Sequence, residues 1–573
     1  MITEHSHIPL LSANATACST FSVVLFSRPS FLIYNEPQFG PTEDEHMSDS
    51  QPDRMPIEQD FHDIVFVSDL HLANGYSRTT GRFDRREDFF YDGEFHRFTQ
   101  YLAAQGRERQ RPQRLILLGD VFEFLQVDNR PYQKSGIPDE AHPAHQDREV
   151  QEHLKQNKAF NGLSTNQTAT VWRIERIARG HAEWFRALGE FLQADSRHRL
   201  DVVIGNHDIE MTWPAAQQRF KELIAESVGA DVTNAIHFYP WFIYEPGLFY
   251  AEHGQQYDNL NSFTTLMEPT LPPKRTADGT INWDEPAPLE QRLIELPLGS
   301  FFVRYVFNFI ESSDSFADNV RPLTRYVAWA LRNKPLHGLR ILFYQGRLLI
   351  RVLRKSGDLS EREMRLRRQH YQRTVLAPYA AQSGLSPDTL IAIDELAVLP
   401  SMTSRWQQAK QVVLDPLMPL LFVFAPIAVM FGALRQVRNS LRALLTFAAG
   451  LLGLLYRERA TFRPPTEPAN KLRDAARNID AILRRDTGAG ARFYIFGHTH
   501  KAEVFPLTEN TDEPRYLNTG TWTPIIDPDA QLLRGTVQLN FVQILRHKNG
   551  YELAELLAWN DGANRPQLVA LVD

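Results

Sequence analysis

The stretch DIVFVSDLHL, residues 63–72, joins an apolar run to a polar end. The run has no alternation of polar and apolar residues, which indicates a β-strand that is buried on both faces. It then stops at Asp69 and His71, two residues whose side chains can bind metal ions or protons. We therefore predict a buried strand that presents polar residues at its carboxyl end.

Four later stretches repeat this design, each an apolar run that ends in Asp, Asn or His: RLILLGD (114–120), RLDVVIGNHD (199–208), LFYAEHG (248–254) and RFYIFGHTH (492–500). Segments with helical periodicity lie between them, near 94–104 and at 172–193. Further strands are predicted at 515–522 and within 536–559, where KNG would form a hairpin turn. Strands that alternate with helices indicate an α/β core.

Ligands of open α/β sheets bind at the carboxyl ends of the strands, so we expect the five polar ends to meet. Their side chains offer oxygen and imidazole nitrogen but no sulfur, a donor set that suits Mn²⁺, Fe, Zn²⁺ or Mg²⁺. They are too many for one tetrahedral ion and suit two ions that share a bridging carboxylate. The candidate residues are Asp69, His71, Asp120, Asn206, His207, His253, His498 and His500.

Five short blocks resemble, in the same order, the motifs of the calcineurin-like metallophosphoesterases: D-x-H at 69–71, G-D-x-x-E at 119–123, G-N-H-D at 205–208, H-G at 253–254 and G-H-T-H at 497–500. Any single block is a weak signal, but all five in order are a strong one. The resemblance covers roughly 61–260 and 485–560. It implies a four-layer α/β/β/α sandwich, two divalent cations with Mn²⁺ preferred, and hydrolysis of a phosphoester.

The resemblance also implies one group of ligands for each cation, with the Asp120 carboxylate as the bridge between them. The first group is Asp69, His71 and His500. The second group is Asn206, His253 and His498. A hydroxide between the two cations would be the nucleophile, because the cations lower the pKa of bound water.

Three further residues receive roles from the same resemblance. His207 would be a catalytic residue that stabilises the phosphoryl charge or protonates the leaving oxygen. Asp208 would orient His207, and Glu123 would support the metal ligands from behind. The histidines that fit no block are interpreted as packing or surface residues: His96, His181, His237 and His370.

SDLHL (68–72) and GDVFEF (119–124) look especially like the branch that contains the UDP-2,3-diacylglucosamine pyrophosphatases, which cleave a lipid A precursor. In that branch an arginine usually follows the asparagine of the third block, whereas this chain has His207. The resemblance to the branch therefore leaves the substrate open.

The 573 residues carry a net charge of −7, with 43% hydrophobic and 23% charged residues, which is ordinary for a globular protein. The acidic balance argues against a dedicated nucleic-acid-binding protein.

Cys18 is the one cysteine, so a disulfide framework and a thiolate metal cluster are excluded and a cytoplasmic location is favoured. Residues 1–46 lack the basic start of a secretory signal, and we expect the native protein to start near Met47.

The positions of the blocks divide the chain into four parts: an N-terminal extension expected to be disordered (1–60), the first part of the core (61–260), a mainly helical insertion (261–484) and the second part of the core (485–573). Segments as long as the one between His253 and Gly497 are seldom structureless in a compact domain. Because both ends of the insertion return to the metal site, we expect it to act as a cap or a substrate guide.

Two parts of the insertion suggest contact with a membrane. Residues 301–313 are aromatic and amphipathic, and 339–373 are rich in arginine, with a capping box from Ser360 to Glu363. These segments are interpreted either as ordinary packed helices or as a basic surface for anionic lipid or a polyanionic substrate.

The stretch 416–434 has no charge and is long enough to span a bilayer, and 443–456 is a shorter apolar run. Prolines interrupt the first run, so we prefer a hairpin within one leaflet or two buried helices. The resulting hypothesis is peripheral contact of residues 301–456 with the inner face of the cytoplasmic membrane.

Three functions follow from these observations. The first is a two-metal phosphoester hydrolase that acts on an amphiphilic or nucleotide-linked substrate. The second is a nuclease or cyclic-nucleotide phosphodiesterase with the same chemistry. The third is a membrane-associated scaffold with a degenerate metal site, which the complete ligand set argues against.

Overall fold

The computed structural model describes residues 62–78, 80–127, 163–308, 333–336, 338, 359–400, 468–508, 513–524, 537–547 and 552–569. The predictions for the N-terminal extension and for 339–357, 416–434 and 443–456 lie outside these residues. The described residues belong to one unit of the chain, Asp60–Asp573.

The first sheet has seven strands: β1 (Asp63–Val67), β4 (Gln113–Leu118), β5 (Arg199–Val203), β6 (Ile236–Tyr239), β12 (Asn540–Arg546), β13 (Glu552–Asn560) and β14 (Arg565–Leu568). Their order across the sheet is β14-β13-β12-β1-β4-β5-β6. Strands β1, β4, β5 and β6 are parallel, and the other three join antiparallel at the β1 side.

The second sheet has five strands: β7 (Phe242–Glu245), β8 (Phe249–Glu252), β9 (Phe493–Phe496), β10 (Glu503–Pro506) and β11 (Arg515–Asn518). Their order is β10-β11-β9-β8-β7, with β8, β9 and β11 parallel. A separate two-stranded ribbon joins β2 (Tyr76–Ser77) to β3 (Arg82–Phe83). The sequence-based expectation of an α/β fold is confirmed, because helices alternate with sheets of mixed parallel and antiparallel strands.

The described α-helices are α1 (Asp92–Arg109), α2 (Gln167–Gly180), α3 (Ala182–Ala194), α4 (Pro214–Val228), α5 (Leu298–Phe302), α6 (Glu361–Tyr371), α7 (Ala377–Ser383), α8 (Pro387–Asp394) and α9 (Pro468–Thr487). Local sequence explains several of their ends. The Asn166 side chain accepts a hydrogen bond from the Ala169 N–H at the start of α2. Helix α4 begins with Pro214 and ends at Gly229, whose φ of 65° closes the helix in the left-handed region.

The predicted burial of the strands on both faces is confirmed by alternate residues of β1. Ile64 and Phe66 belong to a core cluster that includes Phe493 and Ile495 of the second sheet. Val65 is buried on the opposite face in the larger cluster that contains the helices. Continuous apolar runs therefore arise because one face of each sheet contacts the other sheet and the opposite face contacts helices.

The predicted helices and closing strands are present with two changes in detail. The segment 172–193 forms two helices, α2 and α3, which are separated at His181. The closing strands β12 and β13 pair antiparallel, and the KNG turn between them lies outside the described residues. The sequence did not indicate the short strands β6, β7, β10 and β14.

The described part of the predicted insertion contains helices α5 to α9 and the capping box of α6. The Ser360 side chain accepts a hydrogen bond from the Glu363 N–H at 3.3 Å, and the Ser360 N–H donates to Glu363 Oε2 at 2.7 Å. Within the described ranges, no helix combines the length and the apolar character needed to cross a membrane.

Candidate metal centre

The two sheets bring the five predicted polar ends together. Asp69 and His71 follow β1, Asp120 follows β4, and Asn206 follows β5, all in the first sheet. His253 follows β8 of the second sheet. The remaining pair, His498 and His500, follows β9 of the second sheet. The candidate site therefore lies where the carboxyl ends of parallel strands from both sheets meet.

Five of the candidate residues have a backbone conformation that non-glycine residues rarely adopt. The φ angles are 54° for Asp69, 53° for His71, 51° for Asp120, 71° for His498 and 60° for His500. Left-handed conformations of this kind are costly and are found most often at functional sites, where the surrounding structure holds them. The shared geometry turns the side chains out of the strand direction and towards one another.

Glycines beside the ligands allow this close approach. A Cβ atom on Gly205 would lie 2.3 Å from Asp120 Oδ1, and one on Gly119 would lie 2.6 Å from the His253 ring. Gly119 also has a φ of 81°, which strains any other residue. Substitution of either glycine would therefore displace a candidate ligand.

The first predicted group of ligands, Asp69, His71 and His500, is compact. His71 Nε2 lies 3.1 Å from His500 Nε2, and His500 Nε2 lies 3.3 Å from Asp69 Oδ1. One donor atom from each of the three residues lies within 4.8 Å of the others. This spacing would allow one cation to contact all three.

In the second predicted group, which is Asn206, His253 and His498, the two histidines have donor atoms within 4.8 Å of each other and of an Asp120 oxygen. His253 Nε2 lies 3.0 Å from Asp120 Oδ2. His253 Nδ1 lies 2.9 Å from the Leu118 carbonyl oxygen, which can only accept a hydrogen bond. Burial would lower the pKa of His253, but the Asp120 carboxylate outweighs this and raises it to about 9 when no cation is bound. Because the Leu118 carbonyl oxygen holds Nδ1–H, the proton that a cation would replace is the one on Nε2.

Several donor atoms at the centre are buried and, among the described residues, have no hydrogen-bond partner. They are both side-chain atoms of Asn206 and His498 Nδ1. A buried polar atom without a partner costs on the order of 1–3 kcal/mol, so natural proteins seldom leave several together. Carboxylate oxygen, amide oxygen and imidazole nitrogen are all donors that Mn²⁺, Fe or Zn²⁺ accept, so the residues present fit a metal centre.

Asp120 contacts both groups. Its Oδ2 atom faces His253, and a third set of close donor atoms joins Asp120 to His71 and His207. The His207 N–H donates a hydrogen bond to Asp120 Oδ1 at 2.8 Å. Burial would raise the pKa of Asp120, but His253 and His207 outweigh this and hold the pKa well below its usual value. The carboxylate therefore stays ionised and has the position expected of a bridge.

Glu123 is the carboxylate that contacts His207. Its Oε2 atom hydrogen-bonds to His207 Nδ1 and lies 3.6 Å from His71 Nδ1. Burial would raise the pKa of Glu123, but the charge and hydrogen bond of His207 lower it. The His207 side chain is 15% exposed, whereas that of Glu123 is 2% exposed. Glu123 thus orients His207 from the buried side.

The predicted partner of His207, Asp208, has a different role in the structure. Its Oδ1 atom accepts a hydrogen bond from the Gly205 N–H at 2.6 Å, and its Oδ2 atom accepts one from the Val121 N–H at 2.7 Å. Burial and the neighbouring Asp120 raise the pKa of Asp208 to about 6. Asp208 therefore connects the backbone turns that follow β4 and β5. The sequence predicted that Asp208 orients His207, but in the structure Glu123 is the carboxylate that contacts the His207 ring.

Glu252, beside the ligand His253, is buried. Glu252 Oε2 accepts a hydrogen bond from Trp241 Nε1 at 2.8 Å, and Oε1 accepts one from the Tyr257 hydroxyl at 2.6 Å. Burial raises the pKa of Glu252 to about 7. These contacts fix the end of β8.

Residues at the end of β11 and just after it also contact the backbone of the centre, and sequence reasoning missed them. The Thr521 hydroxyl donates to the Asp69 carbonyl oxygen at 2.7 Å, and the Asn518 amide donates to the Gly497 carbonyl oxygen at 2.7 Å. The signal was present in the sequence, because NTGT follows an apolar strand just as the metal ligands do. A further missed residue, Asp258, has its Oδ2 atom 3.4 Å from His498 Nε2.

Comparison of the chain with models of known protein families gave no match, and no curated protein matched it.

Proposed function

We propose that this protein is a phosphoester hydrolase that uses two divalent cations. The observation that carries the proposal is the pair of ligand groups around Asp120, with buried donor atoms that lack hydrogen-bond partners among the described residues. Asp69, His71 and His500 form one close group, and His253 and His498 form another with Asp120, which supports the ligand sets implied by the sequence resemblance to the calcineurin-like metallophosphoesterases. The proposal therefore includes membership of that superfamily and its four-layer α/β/β/α sandwich.

The contacts between the sheets and helices support the sandwich. Phe66 of β1 lies 5.2 Å, ring to ring, from Phe249 of β8, so the two sheets are in direct contact. On the far side of the second sheet, the Tyr494 hydroxyl donates to Asp480 Oδ1 of α9 at 2.7 Å. On the far side of the first sheet, Phe98 of α1 lies 4.9 Å from Phe541 of β12.

In this proposal Asp69, His71 and His500 would hold one cation, and Asn206, His253 and His498 would hold the other. Asp120 would be shared between them. Mn²⁺ is the preferred cation, and Fe, Zn²⁺ and Mg²⁺ suit the same donors. When bound, two such cations supply an activated water and neutralise the charge of the phosphoryl group.

Three further side chains of the centre have separate roles in the proposed reaction. His207 is the partly exposed histidine beside the ligands, so it faces the space that a substrate would enter. Glu123 accepts a hydrogen bond from His207 Nδ1 and stabilises the protonated ring, whose Nε2–H would donate to a phosphoryl or leaving oxygen. Asp208 keeps the backbone turns in place and does not need to change protonation during the reaction.

The proposed substrate is an amphiphilic or nucleotide-linked phosphoester at the inner face of the cytoplasmic membrane. Two features of the sequence support this substrate. The SDLHL and GDVFEF blocks support a nucleotide-linked phosphoester, and the apolar and basic segments within 301–456 support contact with a membrane. The net charge of −7 argues against extended nucleic-acid binding.

The test is Mn²⁺-dependent hydrolysis by the full chain on four substrates: bis-p-nitrophenyl phosphate, a phosphomonoester, single-stranded DNA and a UDP-linked lipid. His207→Ala and Asp120→Ala are the site variants, and His237→Ala in β6 is the matched histidine control. Activity on the UDP-linked lipid that both site variants lose and the control keeps would support the proposal. Turnover of DNA alone would support a nuclease, and no metal-dependent turnover of any substrate would favour the scaffold.

A further inference from the structure

The two ring nitrogens of His498 have different surroundings. Nδ1 is buried and has no hydrogen-bond partner among the described residues. Nε2 lies 3.4 Å from Asp258 Oδ2. An ionised carboxylate can only accept hydrogen bonds, so Nε2 carries the proton of the neutral ring and Nδ1 keeps the lone pair. The ring thus offers Nδ1 to the group that contains Asp120 and His253.

Asp258 is itself held in place by a tight turn. Its Oδ1 atom accepts a hydrogen bond from the Leu260 N–H at 3.0 Å, and the Ser262 N–H donates to the Asp258 carbonyl oxygen at 2.8 Å. The Asn261 amide donates to Asp258 Oδ2 at 2.8 Å. The oxygen that faces His498 is therefore the one that Asn261 also fixes.

The turn is in contact with helix α5, the first helix of the predicted insertion. The Gly299 N–H donates to the Leu260 carbonyl oxygen at 2.7 Å. A Cβ atom on Gly299 would lie 1.9 Å from Asn261 Oδ1, so helix and turn touch without space for a side chain. A continuous series of contacts therefore connects α5 to His498 through Asn261 and Asp258.

We propose that Asp258 is a positioning residue that holds His498 with Nδ1 directed at a divalent cation, and that Asn261 connects this carboxylate to helix α5 of the insertion. The inference rests on the proposed two-metal function and deepens it. A carboxylate behind a metal-bound histidine fixes the tautomer and the orientation of the ring and increases the basicity of the ligand. Through Asn261 and Gly299, the position of the insertion would set the affinity of one cation.

The test is calorimetric titration of the metal-free full chain with Mn²⁺ alone. In Asp258→Asn the carboxylate is replaced by an amide of the same shape, which can present an N–H to His498. We expect one of two Mn²⁺ sites to weaken by about 10- to 100-fold, the usual effect of removing such a partner, with the other site unchanged. A merely structural role would weaken both sites or neither.

Three further variants accompany this measurement. Asn261→Ala and Gly299→Ala leave the Asp258 carboxylate in the chain, and both should weaken the same site by a smaller factor. They also test the connection independently if Asp258→Asn does not fold. Asp278→Asn, in an exposed loop of the same part of the chain, is the matched control and should leave both affinities unchanged.

Identical affinities in the wild type, Asp258→Asn and Asn261→Ala would overturn this inference and leave the two-metal function intact. Equal weakening of both sites would also overturn it. Wild-type protein that takes up no Mn²⁺ would overturn the inference and the proposed function together.

Discussion

His253 Nε2 lies 3.0 Å from Asp120 Oδ2, although the two residues follow strands of different sheets. Asp120 follows β4 of the seven-stranded sheet, and His253 follows β8 of the five-stranded sheet. Side chains of both sheets, such as Phe66 and Phe249, pack between these strands. The packing of one sheet on the other therefore sets the distance between two proposed metal ligands.

Asp120→Asn should remove cation binding at both proposed sites, because this carboxylate is shared and supplies the negative charge between them. Loss of a residue that only supports a ligand weakens metal binding by about 10- to 100-fold. Loss of the shared carboxylate should therefore lower the Mn²⁺ affinity by at least about 100-fold. Metal analysis after dialysis against limiting Mn²⁺ measures the bound equivalents. A variant that keeps two equivalents would show that Asp120 is not the bridge.

His207→Ala should lower kcat by about 10²- to 10⁴-fold, the usual contribution of an acid–base residue, and should leave Mn²⁺ content unchanged. Glu123→Gln should have a smaller effect in the same direction, because the ring keeps its position but loses the charge that favours its protonated form. Steady-state kinetics with bis-p-nitrophenyl phosphate separates the two variants. A Glu123→Gln enzyme more impaired than His207→Ala would contradict the assigned roles.

Gly119→Ala should weaken Mn²⁺ binding, since the added Cβ would lie 2.6 Å from the His253 ring at a residue with a φ of 81°. The matched control is Gly229→Ala, where φ is 65° and no atom lies within 4 Å of the added Cβ. Both variants should lose about 1 kcal/mol or more of unfolding free energy to backbone strain. Calorimetry should show weaker Mn²⁺ binding for Gly119→Ala alone. Equal affinities in the two variants would mean that Gly119 does not position His253.

His181 should make the unfolding free energy of the metal-free protein fall as pH rises. The buried ring lies 3.2 Å from Glu87 Oε2 and 3.1 Å from Asp92 Oδ1. Burial would lower the pKa of His181, but these carboxylates raise it from 6.5 to about 10. A raised folded-state pKa stabilises the protein fully below pH 6.5, and this stabilisation disappears as pH rises through about 10.

The size of this contribution near neutral pH should be about 4 kcal/mol, from a pKa shift of 6.5 to about 10 in a fully buried group. Urea unfolding at pH 6 and at pH 9.5 measures it. His181→Gln should lose most of the decrease between these pH values, and His237→Gln should keep it. An unchanged pH dependence in His181→Gln would show that the ring is not protonated between the two carboxylates.

The strands that carry the site could be predicted because they are buried on both faces. The runs IVFV of β1 and FYIF of β9 are apolar throughout, and polar residues follow both of them closely. Strand β6 was missed because three of its four residues are at least partly exposed, so its sequence has no continuous apolar run. The sheet that each strand joins could not be predicted, because strand pairing depends on contacts far apart in the sequence.

The residues that meet at the candidate metal centre could be predicted from their positions at strand ends, but the residues that support them could not. Asp208 is adjacent to His207 in the sequence, yet the turn directs its carboxylate to the Gly205 and Val121 N–H groups. Glu123 reaches His207 from another strand. Asp258 follows a short 3₁₀ turn, without the apolar run that marked the other candidates. Side-chain direction within turns decides these contacts, and spacing in the sequence does not encode it.

The most direct test of the two-metal hydrolase is the initial rate of bis-p-nitrophenyl phosphate hydrolysis as metal-free protein receives increasing equivalents of Mn²⁺. We predict that the rate rises to a plateau at two equivalents and that Asp120→Asn shows no hydrolysis at any equivalent. Wild-type protein that binds two equivalents of Mn²⁺ and hydrolyses nothing, or that hydrolyses equally well after Asp120→Asn, would contradict the proposed function.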